Sequence, residues 1–197
     1  MAKERGRPEV KTKQKVFQKK QPHLDPQRLV FIDESGFRLG GTPRYGWAPV
    51  GKDAHGSHVQ GRWRNITMIG AMALDGFRGF MTVESGTSID VFSAFVEHQL
   101  IPRLRENDVV VMDNLSAHKN ARVINLIEQT GAIVLFTPPY SPEFNAIEKA
   151  WAKIKDILRR LDTETREKFD DAVAIAMDAI SLNDREGWMK HAGYSIN

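Results

Sequence analysis

Apolar positions along the chain follow two kinds of pattern. Three short unbroken runs, residues 28–33 (RLVFID), 108–112 (DVVVM) and 132–136 (AIVLF), read as buried strands. Residues 65–74 (NITMIGAMAL) and 77–83 (FRGFMTV) read as two more strands, joined at Asp75-Gly76, a good hairpin signal. Helical spacing takes over elsewhere. Ser88 can cap a helix over residues 88–104 in which Val91, Phe92, Phe95, Val96 and Leu100 recur. A second helix is predicted over residues 117–130, with Val123, Ile124 and Ile127 on one face and Gly131 as its stop. A third begins with Ser141 as N-cap and Pro142 in the first turn. It carries one apolar stripe through Phe144, Ile147, Trp151, Ile154, Leu158 and Leu161. Residues 163–182 form a last amphipathic helix, and Trp188 and Tyr194 anchor the tail. Strand, helix, strand over residues 108–136 implies a parallel crossover unit and an α/β class.

Charge adds a boundary to this picture. The net charge of +3 is unevenly held. Residues 1–28 carry nine Lys or Arg against three acids, whereas the rest of the chain carries 19 against 22. Residues 1–27 are therefore expected to be a basic arm, with at most a short helix over residues 8–20, and residues 28–197 a single domain. Arg5, Arg7, Lys11 and Lys13 of the arm are candidate phosphate contacts. RGRP at residues 5–8 matches the core of a minor-groove hook, though four residues in a basic stretch arise readily by chance. Residues 36–51 are glycine- and proline-rich and interleave basic with aromatic residues. Among these Arg44 is a candidate DNA contact, while Trp47 reads better as packing. The chain has no cysteine, which excludes disulfides and thiolate metal sites and fits a cytoplasmic protein. It has no run of about 20 apolar residues that would suit a membrane helix, and its start lacks the apolar stretch of a signal peptide.

Candidate chemistry lies in three acids. Asp33 and Asp113 each end a buried strand, and ligands in open α/β sheets bind at such ends. Glu148 falls on the border of the long helix's apolar stripe, held by packing yet reachable, with Lys155 and Arg159 further along the same flank as candidate DNA contacts. Hard carboxylate oxygens suit Mg²⁺, and two such ions about 3.5–4 Å apart clamp the attacking and leaving oxygens of a phosphodiester. The missing Cys/His ligand set disfavours zinc. Glu34, next to Asp33, should point to the opposite face if strand alternation persists. Glu34, Asn114, His118 and Asn145 are secondary candidates, His118 as an orienting partner for a water, a phosphate or a ligand carboxylate. Asp108 starts its strand and so sits at the wrong end. There is no G-x-S-x-G, P-loop or dinucleotide-binding glycine fingerprint.

The stretches VFIDESG (30–36), VVVMDNLSAHK (109–119), TPPYSPEFNAIEKAWAKIK (137–155) and the closing Gly193-Tyr194 resemble the mariner-type transposases, in particular the bacterial insertion-sequence transposases of the six-thirty group. The resemblance implies an RNase H-like fold with a mixed central sheet, and a triad of Asp33, Asp113 and Glu148 binding two Mg²⁺ ions, with Mn²⁺ able to substitute. It further implies nicking at transposon ends, attack of the freed 3′ hydroxyl on target DNA, and a homodimer in the active complex on double-stranded DNA in the bacterial nucleoid. Members of that group carry helix-turn-helix domains ahead of the catalytic core. A separately encoded helix-turn-helix half is therefore an expected partner. Two other readings stay open: an RNase H-like nuclease without strand transfer, and a non-catalytic DNA-binding remnant.

Overall fold

The computed structural model describes residues 6–39, 48–53, 64–84, 86–161 and 163–196. Five strands form one sheet: β1 (Leu29–Arg38), β2 (Asn65–Ala73), β3 (Gly76–Val83), β4 (Val109–Met112) and β5 (Ile133–Phe136), in the order β3-β2-β1-β4-β5. β1, β2 and β3 pair antiparallel, while β4 and β5 run parallel to β1. All five strands fall on the apolar runs of the sequence, but β1 continues five residues past Asp33 to Arg38, held by antiparallel pairing with β2, where the sequence pattern predicted turns from Gly36. The outer strands of that order are reached by the tight turn at Asp75-Gly76 and by the crossover helix α3 (Ala121–Glu128).

Strand alternation divides the core in two. On one face Leu29, Phe31, Met68 and Val111 pack against α4 (Ile147–Arg160), α5 (Arg166–Asp178) and α6 (Leu182–His191). On the other, Val30, Ile32, Ile69, Val110 and Met112 pack against α2 (Ile89–Phe95) and α3. In α4 the side chains of Ile147, Trp151, Ile154 and Leu158 are buried, each stabilising by roughly 1.5–3 kcal/mol relative to exposure. The predicted stripe is thus correct, but the predicted start of the helix is not. Pro142 opens a separate 3₁₀ turn, Pro142–Phe144, and α4 begins only at Ile147. Tertiary contacts account for the shift. The Ser141 hydroxyl donates to Pro139 O and accepts from Gln14 Nε2 instead of capping, and Asn145 adopts extended backbone while its amide reaches β1.

Three other boundaries move for identifiable reasons. α3 starts at an Asn120 cap, Asn120 Oδ1 accepting from Arg122 N at 2.9 Å, because residues 116–119 turn to send His118 inward. α2 relaxes into a π turn at Val96–Leu100 and a 3₁₀ turn at Ile101–Arg103, where Pro102 withholds an amide. The helix expected over residues 163–182 is found as α5 but shortened to Arg166–Asp178, and a further helix the pattern did not predict, α6, follows where Ser181 and Asp184 form a capping box. Tyr194 anchors the tail as expected, donating its hydroxyl to Phe144 O at 2.9 Å.

The basic N-terminal stretch is a docked helix, α1 (Pro8–Lys20), with Val10 and Phe17 buried. Phe17 meets Phe144 at 5.2 Å between ring centroids, and Gln21 Nε2 donates to Ala192 O at 2.7 Å. Lys11, Lys13, Lys15, Lys19 and Lys20 are all exposed on it.

Candidate active site

β1 and β4 run side by side and in parallel, with Phe31 opposite Val111, so Asp33, midway along β1, comes level with Asp113, just past the C-terminal end of β4. The first turn of α4 brings Glu148 there from the face above. All three carboxylates line one cavity of about 540 Å³, together with Asn114, Lys119 and Asn145.

Each acid is held differently. Asp33 accepts from Trp151 Nε1 at 3.1 Å, so α4 supplies both the packing and a donor to the middle of β1. Burial, and then the charges of Glu148 and Asp113, push the Asp33 carboxyl up to about 7. Glu148 stands at the solvent-facing mouth of the cavity. Crowding by surrounding protein and the Asp113 charge still raise its carboxyl, against the pull of Lys155. Asp113 moves the other way. Burial would raise it, but His118 and the Leu115 amide, which donates to Oδ1 at 2.9 Å, bring it below the ordinary range.

His118 is fully buried, packed 4.3 Å from the Phe92 ring between centroids. Its Nδ1 lies 2.6 Å from Asp113 Oδ1 and its Nε2 3.5 Å from Glu34 Oε1. Neither nitrogen has an acceptor in line, so the contacts are ion-pair rather than well-aligned hydrogen-bond contacts. Burial opposes its protonation, yet the two carboxylates prevail and raise its pKa to about 9. Glu34 does sit on the opposite face from Asp33, as alternation requires, and returns to the site through this histidine. Asn114 Nδ2 donates to Thr137 O, and Asn145 Nδ2 donates to Ile32 O at 3.0 Å, tying the loop before α4 to β1 beside Asp33. Asp108 is buried at the far end of β4, where its Oδ2 accepts from Arg105 N at 2.8 Å, a structural role.

The candidate DNA contacts divide by position. Lys155 stands one helical turn or more beyond Glu148. Burial and Arg159 lower its pKa, while the charges of Glu148 and Asp33 act in the opposite direction. Arg7, Lys11 and Lys13 lie on or beside α1. Arg5, Arg44 and Trp47 lie outside the described residues. Nothing in the sequence pattern singled out the Trp151 N–H as a partner of Asp33, because the two are 118 residues apart. Leu115, Lys119 and Tyr140, which line the cavity, were missed as well.

The donor set suits a hard cation. Ionised carboxylates only accept, and a cation would offset both the burial that chiefly raises Asp33 and Glu148 and the neighbouring negative charge that adds to it. Among the described residues no three His, Cys, Asp or Glu side chains stand close enough to hold an ion unaided. Water and substrate oxygens would complete the shell, as is usual for Mg²⁺.

The family model of the DDE superfamily endonucleases matches residues 28–170. The chain belongs to this family. A comparison with curated protein sequences finds no match. Among solved structures, the Mos1 transposase paired-end complex with left transposon end has a TM-score of 0.75 at 14% identity, over 98% of this chain and 60% of that one. The Mos1 strand transfer complex has 0.73 at 14%, over 100% and 64%. The isolated catalytic domain of Mos1 mariner transposase has 0.63 at 12%, over 100% and 98%. This DDE endonuclease chain therefore has the fold of that catalytic domain, a mixed RNase H-like sheet with helices on both faces, and spans 60% of the Mos1 chain in the paired-end complex. No helix among the described residues is long and apolar enough to cross a membrane.

Proposed function

We propose that this chain is the catalytic domain of a mariner-type bacterial insertion-sequence transposase, which cuts double-stranded DNA at transposon ends and joins the freed 3′ hydroxyl to target DNA. The observation that carries the reading is the convergence of Asp33, Asp113 and Glu148, from β1, β4 and α4, on one cavity. These residues would hold two Mg²⁺ ions, with Mn²⁺ able to substitute. When bound, the metal supplies Lewis-acid stabilisation of the charge that develops on the scissile phosphate.

The chain's own groups prepare the site. Trp151 Nε1 fixes the Asp33 carboxylate, and His118 with the Leu115 amide fixes that of Asp113. Glu34 steadies His118 from behind. Lys119 and Lys155 offer ammonium groups to the DNA backbone beside the cavity. A homodimer, and a separately encoded helix-turn-helix half that reads the transposon ends, complete the proposed assembly.

The test is incubation with Mg²⁺ and a duplex bearing the ends that flank this gene. Asp33→Asn, Asp113→Asn and Glu148→Gln are each expected to abolish cleavage, by at least about 100-fold, with circular dichroism unchanged. Full cleavage by any one of them removes that residue from the triad, and cleavage in excess chelator removes the metal. Pre-cut ends supplied with target DNA separate strand transfer from simple nicking.

A further inference from the structure

Among the described non-glycine residues only Asn107 and Tyr140 have positive φ, 65° and 57°. Asparagine tolerates that region. Tyrosine does not, and its conformation costs on the order of 1–3 kcal/mol. A glycine or asparagine at 140 would make the same turn without the strain. The ring gives little back to the fold: Tyr140 is 51% exposed, and among the described residues its ring meets no other ring and its hydroxyl has no hydrogen-bond partner. Its neighbours nonetheless hold the backbone there. Pro139 and Pro142 flank it, and the Ser141 hydroxyl donates to Pro139 O at 3.1 Å while accepting from Gln14 Nε2 at 2.9 Å.

What the ring does have is a place. It lines the cavity that holds Asp33, Asp113 and Glu148, as do Lys119 and Leu115, itself 46% exposed. An exposed aromatic ring, an exposed aliphatic side chain and an ammonium group around a carboxylate site match the parts of a nucleotide. The apolar faces suit a base and the ammonium group suits a backbone phosphate.

We propose that Tyr140 is a stacking platform for an unpaired base of the DNA strand whose phosphate enters the carboxylate cavity. A paired base has its faces covered by its neighbours, so the base that lies on Tyr140 has left the duplex stack. Stacking accepts any base, so Tyr140 positions the strand and does not read its sequence. Fixing the backbone at residue 140 before DNA arrives presents the ring at the cavity and leaves only its side-chain rotation to be ordered on binding, which lowers the ordering cost. The inference rests on the DNA-cleaving function proposed above.

The experiment uses the whole chain and a short single-stranded oligonucleotide carrying 5-iododeoxyuridine, which cross-links to a stacked aromatic ring on irradiation. Peptide mass spectrometry maps the cross-link and fluorescence anisotropy measures affinity. The wild type and Tyr140→Phe are expected to cross-link at residue 140. Tyr140→Gly is expected to lose that cross-link and bind about tenfold more weakly, while its Tm stays level or rises because the strain is gone. Wild-type affinity in Tyr140→Gly, or cross-links that map to α1 with residue 140 unlabelled, would overturn the proposal. Equal labelling of residue 140 by the fully paired duplex would overturn the requirement for an unpaired base. Failure of the endonuclease reading is seen separately, as cleavage that survives Asp113→Asn.

Discussion

Asp33 ends the buried part of β1 beneath Trp151, and its carboxyl group answers to burial, to Glu148 and to Asp113 at once. In the folded chain it is held up to about 7, against about 4 in an unfolded one. The sign follows directly. The folded state binds the proton more tightly, so Asp33 costs nothing below pH 4. Its cost grows as pH rises from about 4 to about 7 and is fully present above that. Asp33→Asn keeps the shape and the acceptor for Trp151 but removes the charge. In the metal-free protein this variant is expected to melt higher than the wild type at pH 8, by roughly 3–8 °C, and at the wild-type temperature near pH 4. Adding Mg²⁺ at pH 8 should raise the wild type and leave Asp33→Asn unmoved, because binding to the folded state alone stabilises it. Equal melting temperatures at pH 8 without metal would show that the carboxylate is not strained by its neighbours. Asp113 is the counterpart, since His118 and a backbone amide already compensate its charge.

At the scale of elements, the site depends on a close approach between α4 and the sheet. Gly70 of β2 is paired with Asp33 of β1, and a Cβ built on Gly70 would fall 2.8 Å from Trp151 Cη2 and 3.2 Å from Cζ2. Only glycine lets the indole lie over the sheet with its N–H on Asp33. Gly70→Ala must therefore displace Trp151, at a cost of about 1–3 kcal/mol from overpacking. Cleavage, assayed well below the melting transition, is expected to fall at least tenfold, because the donor to Asp33 moves with the ring. A Gly70→Ala protein that melts lower but cleaves normally would show that this contact only packs. Much of this frame was legible beforehand. The buried strands announce themselves as unbroken apolar runs, the α4 stripe as a 3-4 repeat, and the two aspartates as acids that close apolar runs, although only Asp113 ends its strand and Asp33 lies midway along β1. What was not legible depends on contacts distant in sequence. Ser141 looks like a cap until Gln14 takes its hydroxyl, and Trp151 looks purely apolar until its indole N–H meets Asp33. His118 could be named as a candidate orienting partner, but its burial between Asp113 and Glu34 follows only from the fold of the loop.

For the molecule as a whole, the proposed function requires a face that holds DNA against the cavity. Read from charge alone, residues 1–27 are an arm that could be removed without touching the fold. With Val10 and Phe17 buried and Gln21 bonded to Ala192, deleting α1 would uncover apolar surface and confuse loss of binding with loss of structure. Substituting charge avoids this. The five lysines of α1 are exposed, and Lys13 and Lys20 line a hollow of about 330 Å³ whose other wall, Asn114, Thr137, Pro138 and Pro139, also lines the carboxylate cavity. A strand leaving the cavity over that wall meets these ammonium groups next. Each phosphate contact releases counterions, so the logarithm of affinity falls with the logarithm of salt concentration by about 0.7–0.9 per contact. Changing Lys11, Lys13, Lys15, Lys19 and Lys20 together to Gln is expected to leave the melting temperature within about 2 °C, since surface changes are worth little. The same change should weaken binding to transposon-end and scrambled duplexes alike and flatten the salt slope by 2 or more, in the units just given. Titrations of both duplexes at several salt concentrations measure this. An unchanged slope would place the DNA track on another face of the domain, and a loss confined to the transposon-end duplex would mean that α1 reads sequence.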